Sequence, residues 1–297
     1  MTARLKLKII IKNFAVSLLI LILNLILNLN IAQAEKLKII CSMYPVYDFT
    51  LNIAGDKADI ELLIKPGTEP HDFEPSPRDI KNLNQADIFI FSGLNMELWA
   101  EKISAVLNKN ILIVDASQNI KLINNDPHVW LDLLNAAKMC ENILNALCVK
   151  DFNNAESYKL NADNYINKLL ELDKNFESLN NNNNNNKILA IGGPFTYRYF
   201  FERYKNLNYI SAYEGESEPS FAQIAGVIKF VKENNIKYIF YDALESDLTA
   251  KSIASQTGAG LLLFNSAHNI SLKDFEDKLS FYEIMRNNLE NIKLAVR

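Results

Sequence analysis

The chain has 297 residues, 49% of them hydrophobic, with 31 Lys and Arg against 35 Asp and Glu and a formal net charge of −4. That length can bury a substantial core and suits two lobes better than one. Mild acidity without a basic cluster argues against nucleic acid or an anionic lipid surface as partner.

Residues 1–34 read as a secretory signal. Arg4, Lys6, Lys8 and Lys12 make a basic start, Phe14 to Leu23 is an apolar run broken only by Ser17, and Ala32-Gln33-Ala34 has the small-x-small form of a cleavage site. Asn24, Asn28 and Asn30 interrupt the apolar stretch, so a clean membrane span of about 20 residues is not available. Cleavage after Ala34 and delivery to the periplasm are therefore expected. No cysteine stands at that junction, which argues against a lipid anchor there.

The remainder alternates short apolar runs with amphipathic ones. Strands are expected at Lys38–Ser42, Ile60–Ile64, Ala86–Ser92 and Ile111–Asp115, with helices at Val46–Ala54, Ser76–Gln85, Met96–Leu107 and Leu131–Leu147. Runs buried on both faces and separated by helices imply βα units around a mostly parallel sheet. The pattern then restarts, with strands at Ile188–Gly192, Tyr209–Ala212, Tyr238–Tyr241 and Gly260–Phe264. Helices accompany them at Tyr197–Tyr204, Ser220–Asn234, Leu248–Gln256 and Tyr282–Ala295.

Between the two halves, Tyr158, Ala162, Tyr165, Leu169, Leu172 and Phe176 recur at three- and four-residue spacing, as one face of a long helix. Asn180 to Asn186 follows as an unbroken asparagine run, read as a polar loop. The expected architecture is α/β: a lobe over 35–152, a connecting helix over 153–179, an Asn-rich loop over 180–187 and a second lobe over 188–297. The aromatic stretches Tyr197, Tyr199, Phe200, Phe201, Tyr204 and Tyr238, Phe240, Tyr241 read as core packing. Cys41 sits in an apolar run and reads as core. Cys140 and Cys148 pair only if the helix between them breaks.

Three histidines occur, all in loops that follow a strand or precede a helix: His71, His128 and His268. Imidazole is neutral at neutral pH and matched to zinc. Three sparingly used imidazoles in such positions are expected to meet at one metal site at the carboxyl ends of the strands, between the lobes. Carboxylates able to complete the site are Asp72, Glu74, Asp126, Glu214, Glu216, Glu218 and Asp242. Three imidazoles favour zinc, since a harder cation such as manganese would want more oxygens. No compact catalytic motif and no fourth histidine for proton transfer is present.

Pro66-Gly67-Thr68-Glu69-Pro70-His71-Asp72-Phe73-Glu74-Pro75-Ser76 and Asp126-Pro127-His128-Val129-Trp130-Leu131-Asp132 resemble the two metal loops of the zinc/manganese-binding solute receptors of bacterial ABC importers. Ala54-Gly55-Asp56, Leu98-Trp99, Glu218-Pro219-Ser220 and Gln256-Thr257-Gly258 extend the resemblance over most of the chain. It implies a two-lobed fold with a connecting helix. It also implies Zn2+ as transported ligand, and an importer permease with its cytoplasmic ATPase as partner of a monomeric, non-enzymatic receptor. His71 and His128 carry over from the motifs. The family's usual third ligand falls at Gly192-Gly193, which offers no donor, and its usual acidic ligand falls near Asn265. His268 is the expected substitute. A manganese or iron receptor of the same fold, a three-histidine zinc hydrolase and a metal-binding surface adhesin are the alternatives.

Overall fold

Strand β1 (Leu37–Cys41) is buried at its carboxyl end, and the helix that follows, α1 (Tyr44–Ala54), starts with Pro45 in its first turn, where no backbone N–H is needed. In the computed structural model, which describes residues 12–20, 36–180, 187–213 and 218–296, this βα step repeats. The first set comprises β2 (Ala58–Leu62), α2 (Pro77–Leu83), β3 (Ile88–Phe91), α3 (Leu98–Ser104) and β4 (Leu112–Asp115), followed by α4 (Leu133–Lys150). All pairings are parallel, in the order β2-β1-β3-β4.

The second set comprises β5 (Lys187–Ile191), α6 (Arg198–Arg203), β6 (Leu207–Ser211), α7 (Phe221–Glu233), β7 (Tyr238–Tyr241), α8 (Leu248–Thr257) and β8 (Gly260–Leu263). It forms a parallel sheet of matching order, β6-β5-β7-β8. A short helix α9 (Leu272–Glu276) and the final α10 (Phe281–Ala295) close the chain. The expected α/β architecture with two parallel sheets is what the chain adopts.

Local chemistry places the helix starts. Ser76 with Asp79, Ser220 with Gln223 and Ser280 with Glu283 each form a reciprocal capping box, which satisfies orphan N–H groups at α2, α7 and α10. Gly258 ends α8 in the left-handed conformation at φ +76°.

Helix α5 (Ala155–Glu177) joins the sheets, and its periodic face, Tyr158 to Phe176, is buried. Its first half is tied to α1: Tyr165 Oη donates to Asp48 Oδ2 at 2.8 Å and Asn161 Nδ2 to Ile53 O at 3.1 Å. Its second half is tied to α6. Arg203 Nε donates to Asp173 Oδ1 at 3.0 Å, Tyr204 Oη to the same oxygen at 2.7 Å, and Phe176 packs edge-on to Phe200 at 5.3 Å. One contiguous core runs from β1 and α1 through α4 and α5 to α6, β8 and α10, with smaller cores on the outer faces. Tyr197, Tyr199, Phe200, Phe201, Tyr204 and Phe240 are all buried, as core packing requires, while Tyr238 and Tyr241 are half-buried at the ends of β7.

Cys41, Cys140 and Cys148 are free thiols, and the last two lie on the unbroken α4. Residues 12–20 are helical and belong to a separate unit, Met1–Lys36; the proposed cleavage site lies outside the described residues, as do positions 181–186 of the asparagine run. Among the described residues no helix is long and apolar enough to cross a membrane.

Candidate metal centre

Parallel strands send their carboxyl ends to one side of the sheet, and ligand sites form in the loops leaving them. Four such loops converge here. The loop after β2 carries Glu69 and His71, that after β4 carries Asp126 and His128, that after β7 carries Glu245, and that after β8 carries His268.

His71 Nε2 and His128 Nε2 stand 3.4 Å apart. Two nitrogens bound tetrahedrally to one ion at ~2.05 Å would be ~3.3 Å apart, so this pair is spaced as an edge of a zinc tetrahedron. Their ring centroids are 5.4 Å apart, and the His128–His268 centroids 6.4 Å. The same geometry asks for ~5.2 Å between rings, which leaves His268 roughly 1 Å wide of its place.

Two of the imidazoles, those of His128 and His268, are oriented from behind. Asp126 Oδ1 accepts from the His128 backbone N–H at 2.9 Å and lies 2.8 Å from His128 Nδ1. A carboxylate only accepts, so Nδ1 carries the proton and Nε2 turns its lone pair to the site. Arg198 Nε, on α6, stands 3.8 Å from Asp126 Oδ2. Ser266 Oγ contacts His268 Nδ1 and leaves His268 Nε2 facing Glu69 Oε2 at 3.3 Å. Glu69 Oε1 accepts from His71 N–H at 3.1 Å, so one carboxylate spans two ligand loops.

Charge follows from this geometry. Burial alone would raise the Glu69 pKa, but the hydrogen bond and charge of His268, with the His71 N–H, bring it down to about 2. Burial would lower the pKa of His268, yet Glu69, Asp242 and Glu245 outweigh it and raise it. Glu69, Glu245 and His268 place one donor atom each within 4.8 Å of one another.

The loop of His268 is built to hold one shape. Asn288 on α10 accepts from Asn265 N–H at 2.9 Å and donates to Asn265 O at 2.8 Å. Asp242 Oδ2 accepts from Ser266 N–H at 2.9 Å and from Tyr197 Oη at 2.9 Å. Ala267 is held at φ +57°, a left-handed conformation costly for alanine, one residue before His268.

The three sequence-selected histidines thus come together, and the carboxylates nearest His268 are Glu69 and Glu245, while Glu218 lies beside the Tyr213 hydroxyl. Asp126 orients His128, Asp242 braces the His268 loop, Asp72 and Glu74 are exposed, and Glu214 and Glu216 lie outside the described residues. Glu69 and Glu245 take the place beside His268. Glu69 lies inside the first histidine motif, and Glu245 just past a strand end, so position carried a signal for both. The Asn265 side chain accepts from Ala267 N–H at 2.8 Å through Oδ1. At Gly192 a Cβ would sit 2.6 Å from the Ala250 Cα, so close packing of β5 against α8 excludes any side chain there.

A family model described as zinc-uptake complex component A, periplasmic (ZnuA), matches residues 39–295. The chain is 30% identical over 289 residues to the zinc-binding protein AdcA of Streptococcus pyogenes serotype M18, covering 88% of this chain and 56% of that protein. It thus spans about half the length of the curated streptococcal relatives it matches. It is 30% identical over 282 residues to the high-affinity zinc uptake system protein ZnuA of Bacillus subtilis, covering 88% of each. The Zn(II)-bound ZnuA-like domain of Streptococcus pneumoniae AdcA superposes with a TM-score of 0.77 at 31% identity, over 88% of this chain and 99% of that one. The family model spans nearly the whole described core, and the two parallel sheets agree with the superposed structure: the chain belongs to the periplasmic zinc-uptake component A family.

Proposed function

We propose that this chain is an extracytoplasmic receptor that captures Zn2+ and hands it to an ABC permease driven by a cytoplasmic ATPase. His71, His128 and His268 supply three nitrogens, and Glu69 supplies the fourth donor. No bond in a substrate is made or broken. The observation that carries this reading is the 3.4 Å separation of His71 and His128 Nε2, the spacing of two nitrogens on one tetrahedral ion. The relatives' names, which speak of zinc binding and zinc uptake, support it.

In the same reading residues 1–34 are a cleavable export signal. Residues 35–152 and 188–297 are the lobes, 153–179 the connecting helix and 180–187 an Asn-rich loop, and the receptor acts as a monomer in the periplasm. A second reading draws on Glu69 and Glu245 together. Two oxygens beside three nitrogens make a harder donor set, on which a manganese receptor would rely.

Calorimetric titration of the metal-stripped protein with Zn2+ and with Mn2+ decides between them. One tight zinc site per chain, with weaker manganese, supports the zinc receptor. Tighter manganese overturns the choice of metal. No tight site for either overturns the receptor.

A further inference from the structure

Asn269 follows His268 directly and is 2% exposed. It ligates nothing, yet its carboxamide is fully used. Nδ2 donates to Lys65 O at 3.1 Å and to Thr68 O, while Oδ1 accepts from Ile270 N–H at 2.7 Å. These partners fix the amide's orientation, because only the nitrogen can face two carbonyl oxygens. Gly67 N–H adds a backbone bond to Ile270 O at 2.8 Å. Lys65, Gly67 and Thr68 belong to the loop of the first sheet that carries Glu69 and His71; Asn269 belongs to the loop of the second sheet that carries His268.

The His268 loop is gripped from its other side as well. Trp130, two residues after His128, donates from Nε1 to Ser266 O at 2.8 Å, both residues fully buried. His268 therefore sits between two points at which first-sheet elements hold its loop. One is a backbone carbonyl taken by an indole. The other is a side chain whose sole polar work, beyond its own turn, is to cross between the ligand loops.

We propose that Asn269 is a positioning residue that latches the His268 loop onto the Glu69–His71 loop, and that this latch sets how slowly captured metal leaves. The proposal rests on the zinc-receptor reading above. A metal held by donors from separate loops escapes only when those loops part, so a bond that holds the loops together slows escape without touching the ion.

The test is stopped-flow release of Zn2+ from the preloaded full chain into excess chelator. It is run on wild type, Asn269→Ala and Asn269→Asp, with association rates and the thermal midpoint of each metal-free protein. Asn269→Asp keeps the shape and the acceptor but turns an oxygen onto two carbonyls. Release at least about tenfold faster in both variants, with no fall in the association rate, is the expected result. The aspartate variant also separates a latch from a charge effect, since an added negative charge beside the site would slow release. Slower release for Asn269→Asp, or release within about twofold of wild type in both variants, overturns the latch. So does a parallel fall of association rate and metal-free midpoint, which marks a loosened fold instead. If wild type itself takes up no zinc, the receptor reading falls and the latch with it.

Discussion

Glu69 reaches from the loop after β2 to within 3.3 Å of His268 Nε2, in the loop after β8, so one carboxylate joins the histidine loops of the two sheets. Its other oxygen holds the His71 backbone N–H at 3.1 Å. Loss of that carboxylate removes a proposed donor and frees two loops at once. Glu69→Gln and His268→Ala are each expected to weaken zinc at least about tenfold, ~1.4 kcal/mol. Because the two groups face each other, the double variant is expected to lose less than the sum of the single losses. Calorimetry on the four proteins measures this directly, and full additivity would show that the two side chains act separately.

Glu97 is a buried carboxyl at the carboxyl ends of β1 and β3. Burial pushes its pKa from 4.5 up to about 7, against hydrogen bonds from Ser42 Oγ and the Ser92 and Gly93 N–H groups. An acid whose pKa is raised on folding is ionised in the unfolded chain before it is in the folded one. Its stability contribution is therefore greatest below pH 4.5 and declines as pH rises through 4.5 to 7, by roughly 3 kcal/mol. Asp48, raised to about 6 chiefly by burial, acts in the same direction. Metal-free protein is thus expected to unfold at lower urea concentration at pH 8 than at pH 5. Glu97→Gln, which mimics the neutral form, should flatten that difference; an unchanged pH slope would show that Glu97 does not titrate in this range.

Arg203 clamps the connecting helix. It stands 3.0 Å from Asp173 through Nε, 2.8 Å from Glu177 through Nη2, and 3.9 Å from Asp132 at the start of α4. Asp173 is buried and keeps only the Tyr204 hydroxyl if the guanidinium goes. Arg203→Ala is expected to cost about 3 kcal/mol or more in denaturant unfolding, and Arg203→Lys to recover only part because the forked contact is lost. A cost under about 1 kcal/mol would class the cluster with ordinary surface pairs.

Gly192→Ala tests whether the approach of α8 demands a glycine at the end of β5. The added Cβ would meet the backbone and side chain of Ala250 and the Ile239 Cγ2, all within 2.9 Å. Separation of β5 from α8 should cost about 1–3 kcal/mol. A wild-type melting temperature in the variant would mean the two elements part easily.

Much of this could be read before any coordinates. The unbroken apolar run of β3, Ile88–Phe91, marks a strand buried on both faces, the face of α5 from Tyr158 to Phe176 carries the helical period, and both elements lie where the sequence puts them. Edges were less legible. Strand β2 runs from Ala58 to Leu62, two residues before its expected start at Ile60, because it borders the sheet and its outward residues, Asp59 and Glu61, are polar. Helix α9 leaves no periodic mark in the sequence, since five residues held by the Ser271 cap are too few to show one.

The sequence by itself determined that two βα sheets form and that all three imidazoles leave strand ends on loops, because alternation and turn chemistry act between near neighbours. Which of 35 acidic residues meets them was decided only in the tertiary structure. Glu69 becomes a neighbour of His268 through the registry of two sheets against one shared core, Glu245 through the pairing of β7 with β8, and the approach of α8 leaves no room for a side chain at Gly192. Coordination is a condition on distance between residues far apart in the chain, and no local period encodes it.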